Sequence, residues 1–84
     1  MALPKIIIAD DSRLSSHILR SYIEKLGYTL CGEATTGIEA IELTSKTEPN
    51  IAILDVYMPK MDGYQACKII QNELHTPVIL ITGR

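Results

Sequence analysis

The chain carries no large excess of either charge, no long apolar run and no block of basic residues, and each absence closes off a class of function. The formal net charge is −2 and the pI is near 5.5, which argues against a nucleic-acid surface within this segment. The basic residues Lys5, Arg13, Arg20, Lys25, Lys46, Lys60, Lys68 and Arg84 are scattered singly along the chain. No apolar run approaches the length of a membrane span, and the start Met1-Ala2-Leu3-Pro4 lacks the charged-then-apolar pattern of a secretory signal. The expectation is a cytoplasmic protein with no membrane partner. Cysteine is scarce: Cys31 and Cys67 lie on apolar segments without metal-ligand spacing, so reduced core thiols are expected rather than a disulfide. No repeat, low-complexity tract or linker interrupts the sequence, and its 84 residues hold one domain with no room for a second.

What is present centres on Ile51 to Gly63, IAILDVYMPKMDG. The apolar run Ile51-Ala52-Ile53-Leu54 suits a strand buried on both faces, as in a parallel sheet. It ends abruptly in Asp55, where open α/β folds place their ligands. A lone aspartate there reads as the start of a turn. The second acidic site argues otherwise: KIIIADD, Lys5 to Asp11, is another buried-strand run, and it ends in Asp10 and Asp11. Two neighbouring parallel strands would bring all three acids to one sheet edge. Carboxylates that close repel one another. A hard divalent cation such as magnesium removes the conflict.

The rest of the chain alternates strand and helix. Ser12 is a good N-cap for a helix through RLSSHILRSYIEKLG, with Leu14, Ile18, Tyr22 and Leu26 as an apolar stripe beside Leu19 and Ile23, and Gly27 as its end. His17 has polar neighbours and reads as a solvated helix residue. Tyr28 to Ala34 reads as an edge strand. Thr36 caps a second helix from Ile38 to about Lys46, with Glu39 placed for a capping box. Asp62 caps a third helix, Tyr64 to about Leu74, whose inward residues are Ala66, Cys67, Ile70 and Leu74. A last strand, Val78 to Ile81, ends at Thr82. The order β-α-β-α-β-α-β predicts an α/β fold with parallel strands and right-handed crossovers.

The acid pair after the first strand, Asp55 after the third, Met58-Pro59, Asp62-Gly63 and Ile79-Leu80-Ile81-Thr82 together resemble the receiver domain of bacterial two-component response regulators. The match runs from about Lys5 to the last residue, in order and spacing. The resemblance implies a flavodoxin-like open parallel sheet with helices on both faces and strand order 2-1-3-4. It implies that Asp55 accepts a phosphoryl group from a sensor histidine kinase or phosphotransfer protein. It also implies that Asp11 and Asp55 bind Mg2+, or another divalent cation such as Mn2+, directly, with Asp10 acting mainly through water and the backbone carbonyl of Tyr57 as a further ligand. By the same resemblance Thr82 is the switch hydroxyl. The family's chain goes on through another helix, a fifth strand ending in a lysine, and a final helix. Residues 1–84 would then be a receiver domain incomplete at its C-terminal end, with an output domain possible beyond Arg84, and Arg84 does not match the lysine's position.

Two other readings stand beside this one. Aspartate-nucleophile phosphohydrolases also place an acid after a central strand, but they need a second aspartate two residues on, where this chain has Tyr57. The other is an interaction or dimerisation module that is not phosphorylated. The module is expected not to be an enzyme beyond weak self-phosphorylation and autodephosphorylation. With Val78-Ile79-Leu80-Ile81 as a bare apolar edge, the chain is expected to self-associate. Without the lysine, phosphoryl transfer to it is expected to be slow or undetectable.

Overall fold

The computed structural model describes residues 3–82. The apolar runs form four strands, β1 (Lys5–Ala9), β2 (Thr29–Ala34), β3 (Ile51–Asp55) and β4 (Val78–Ile81). Between them lie three helices, α1 (Arg13–Lys25), α2 (Gly37–Thr47) and α3 (Gly63–Glu73). All strand pairs are parallel and the order is β2-β1-β3-β4, as the alternation and the resemblance predict. β2 is indeed an edge strand, and its register slips opposite Ile6 and Ile7.

The core forms two clusters, one on each face of the sheet. On one face Ile7, Ala9, Ala52 and Leu54 pack with Ala40 of α2 and Ala66 and Ile70 of α3. Cys31 and Cys67 are free thiols at the margin of this cluster. On the other face Ile6 and Ile8 meet Ile23 of α1, with Leu19, Leu30 and Ile53 around them. Two helices therefore cover one side of the sheet and α1 alone covers the other.

The caps follow the sequence. The Ser12 side chain accepts from the Ser15 N–H, and Thr36 accepts from the Glu39 N–H at 3.1 Å. Asp62 and Gln65 complete a capping box at the start of α3. The box expected of Thr36 and Glu39 is displaced by one residue: Glu39 Oε1 accepts from the Thr35 N–H at 2.9 Å and from its hydroxyl at 2.8 Å.

One expectation fails at α1. Leu14, Ile18, Tyr22 and Leu26 all lie on the exposed side, while Ser16 and Ile23 are buried and Leu19 is half-buried. The contact row is i, i+3, i+7 through Ser16, Leu19 and Ile23, adjacent to the stripe that repeats every four residues. The sheet takes the row that carries Leu19 and Ile23 rather than the row with the most carbon. No helix among the described residues is long and apolar enough to cross a membrane.

Candidate functional site

β1 and β3 run side by side with Ala9 opposite Leu54, so Asp10 and Asp55 leave the sheet together at its carboxyl edge. Asp10 and Asp55 are buried, only 3% and 4% exposed, and Asp11 is exposed. One carboxylate oxygen from each of the three lies within 4.8 Å of the others. The sequence expectation for this cluster holds.

The local backbone fixes two of the three. Asp10 Oδ1 accepts from the Ser12 N–H at 2.9 Å, which turns the chain from β1 into α1. Asp55 Oδ1 accepts from the Tyr57 N–H at 3.3 Å, so the loop after β3 orients the carboxylate that precedes it. The Tyr57 side chain is exposed. Thr82 lies one residue past Ile81, the register partner of Asp55. The Val56 N–H donates to the Ile81 carbonyl at 3.0 Å, which places Thr82 at the same edge as the acids. Arg84 lies outside the described residues.

Burial pushes the Asp10 carboxyl above its ordinary range. The Ser12 N–H works against this, and the nearby charges of Asp55 and Asp11, with the Asp55 side chain in hydrogen-bonding contact, reinforce it. An acid whose folded value is raised binds more protons in the fold than in the unfolded chain. The stability of the cation-free protein therefore falls as pH rises from 3.8 through the raised folded value. A divalent cation reverses the conflict. Three carboxylates are a hard, all-oxygen donor set of the kind Mg2+ and Mn2+ take, and the residues present fit such an ion.

The Asp10→Asn variant follows from this balance. It retains an Oδ1 for the Ser12 N–H and removes the buried charge. The cation-free chain should gain about 1 kcal/mol, or roughly 4–8 °C in Tm, and its stability should lose pH dependence in that window. Magnesium affinity should fall at the same time. Thermal melts at several pH values check this, and an unchanged or lower Tm would contradict it.

Two glycines escaped the sequence reading, which gave Asp62-Gly63 a capping role alone. A Cβ on Gly63 would collide with the Asp55 carbonyl oxygen and lie 2.9 Å from Val56 Cα. The Gly63 N–H donates to the Val56 carbonyl at 2.9 Å, closing the base of the loop. A Cβ on Gly37 would collide with the Met61 carbonyl oxygen. Only their sequence contexts, a glycine after a cap residue at each helix start, hinted at these contacts. A separate cleft of about 430 Å³, lined by Thr44, Glu48, Glu73 and His75 among others, opens between the C-terminal ends of α2 and α3 and contains none of the predicted site residues.

The sheet order and an acid cluster at its carboxyl edge define an α/β module with a carboxylate site that could hold a cation. The response regulator receiver domain profile matches residues 6–84, and the chain belongs to that family. It is 36% identical over 78 residues to a protein-glutamate methylesterase/protein-glutamine glutaminase of Hahella chejuensis, covering 93% of this chain and 22% of that protein. The response regulator domain of Thermotoga maritima CheB superposes with a TM-score of 0.91 at 27% identity, covering 95% of this chain and 60% of that one. CheY in a CheX–CheY–BeF3–Mg2+ complex from Borrelia burgdorferi gives a TM-score of 0.89 at 27% identity, with 99% and 64% covered. The chain thus spans about a fifth of that methylesterase and under two thirds of these solved chains.

Proposed function

We propose that this chain is the phosphoacceptor module of a two-component response regulator, with Asp55 as the acceptor. The observation that carries the reading is the carboxylate cluster Asp10, Asp11 and Asp55 at the carboxyl edge of a receiver fold. A carboxylate oxygen of Asp55 attacks phosphorus in a phosphohistidine; the new O–P bond forms as the P–N bond breaks, and the imidazole leaves with the P–N electron pair. Such a transfer needs alignment and charge neutralisation more than covalent help from the protein.

Asp11 and Asp55, with Asp10 and the Tyr57 carbonyl, are the residues that would hold Mg2+ or Mn2+. When bound there, the ion would supply neutralisation of the phosphoryl oxygens. The Tyr57 N–H holds the Asp55 carboxylate in place, and Thr82 is proposed to turn its hydroxyl toward the phosphoryl group as the switch. The donor would be a sensor histidine kinase or a phosphotransfer protein. The module itself is not a hydrolase in this reading, since Tyr57 occupies the place of a phosphohydrolase's second aspartate.

Asp11→Asn tests the cation assignment. It removes one direct ligand charge, and magnesium affinity should weaken about tenfold or more. Calorimetric titration giving the same affinity in both chains would refute it.

The reading also includes self-association of this chain. β4 is an edge strand without a charged residue, and Ile79 is 49% exposed on it. Leu14, Ile18 and Tyr22 add exposed carbon on α1. An unpaired apolar edge templates pairing with another chain, most simply about a two-fold axis. Light scattering across a dilution series should show an assembly that dissociates on dilution. A monomer at all micromolar concentrations would contradict this.

A further inference from the structure

The loop between β3 and α3 is tied down at three places. At its base the Gly63 N–H meets the Val56 carbonyl at 2.9 Å. In its middle Met58 is buried in the core shared by α2 and α3. On its far limb the Gly37 N–H, at the start of α2, donates to the Met61 carbonyl at 3.0 Å. The third tie allows no side chain, because a Cβ on Gly37 would strike the Met61 carbonyl oxygen and sit 2.8 Å from Met61 Cβ.

That far limb is under strain. Lys60 has φ 69°, and the Met61 N–H donates to the Pro59 carbonyl at 2.7 Å, which makes a three-residue γ-turn with its centre on the left-handed side. This turn is rare because a non-glycine residue pays a steric penalty there. Strain of this kind persists only where the surroundings hold it. The surroundings here are the α2 N-terminus, through the Gly37 N–H bonded to the Met61 carbonyl. At the other end of the same loop the Tyr57 N–H orients the Asp55 carboxylate.

We infer that Gly37 is a positioning residue for the divalent-cation site: its backbone contact with Met61 holds the β3–α3 loop in the pose that orients Asp55. The inference rests on the cation and phosphoacceptor reading above. It adds that occupancy of the site and the state of the α2 N-terminus are linked. Linkage is reciprocal, so whatever Gly37 contributes to cation affinity the cation returns as protection of the Gly37 amide. The Gly37 tie serves the loop.

Two measurements on the 84-residue chain test this. In the unaltered protein, saturating Mg2+ should slow hydrogen exchange of the Gly37 amide about tenfold. The Glu48 amide, bonded to the Thr44 carbonyl at the far end of α2, should not change. Gly37→Ala should weaken Mg2+ affinity about tenfold with its helical circular dichroism retained. Gly32→Ala is the control: the three atoms nearest its Cβ all belong to the flexible Leu43 side chain, the closest being Cδ1 at 2.8 Å, and it should leave Mg2+ affinity unchanged. If Gly37→Ala does not fold, the exchange experiment decides alone. Mg2+ binding with no change at the Gly37 amide overturns this inference and leaves the cation reading standing. An unaltered chain that takes up no Mg2+ sinks both.

Discussion

In the Asp55→Asn chain, incubation with acetyl phosphate and Mg2+ should leave no base-labile phosphoryl group, while the Asp62→Asn chain should label as the unaltered protein does. The two aspartates are separated by one short loop, yet their surroundings differ in kind. Asp55 ends a buried strand beside Asp10 and Asp11. Asp62 is an N-cap whose Oδ1 accepts from the Gln65 N–H at 2.9 Å, a bond that asparagine also makes. An amide is not a nucleophile toward phosphorus, so the loss at position 55 should be complete rather than partial. Because no residue of these 84 matches the family's lysine, labelling of the unaltered chain is expected to be slow, and the comparison is made at long incubation. Equal label in the Asp55 variant would move the chemistry elsewhere.

Gly63→Ala should be the most damaging small substitution near the site. The added Cβ meets the Asp55 carbonyl oxygen and the Val56 Cα, and both are backbone atoms of the strand end and loop base. Neither can rotate away as a side chain would. Overpacking against rigid neighbours costs about 2–3 kcal/mol. For a domain of this size that lowers Tm by roughly 10–20 °C. The displaced carbonyl belongs to Asp55, the proposed acceptor, so phosphoryl labelling should fall as well, below the melting transition. A Tm within a degree or two of the unaltered chain would show that the helix start shifts freely.

The fold was largely legible in the residues. Four apolar runs of strand length, alternating with capped amphipathic segments, set the element order, and runs ending in acid at Asp10 and Asp55 placed the cluster before any coordinates. Strand order came from the resemblance rather than from periodicity. What stayed hidden depended on tertiary contact. The face of α1 differs from the stripe because the repeat of Leu14, Ile18, Tyr22 and Leu26 reports where carbon lies, not which row the sheet accepts. The close approaches at Gly37 and Gly63 join elements far apart in sequence or across a loop, and a glycine after a helix cap looks the same whether or not a carbonyl sits against it. Left-handed Glu48 and Lys60 were equally invisible, since neither residue type is enriched at positive φ.

The central claim is that Asp55 accepts a phosphoryl group in a cation-organised site. Its most direct test is peptide mapping of the unaltered chain after acetyl phosphate treatment, with Mg2+ and with a chelator in its place. The account predicts a base-labile phosphoryl group on the peptide carrying Asp55 when Mg2+ is present, and none when it is chelated. Label on another residue, or label on Asp55 indifferent to the cation, would contradict it.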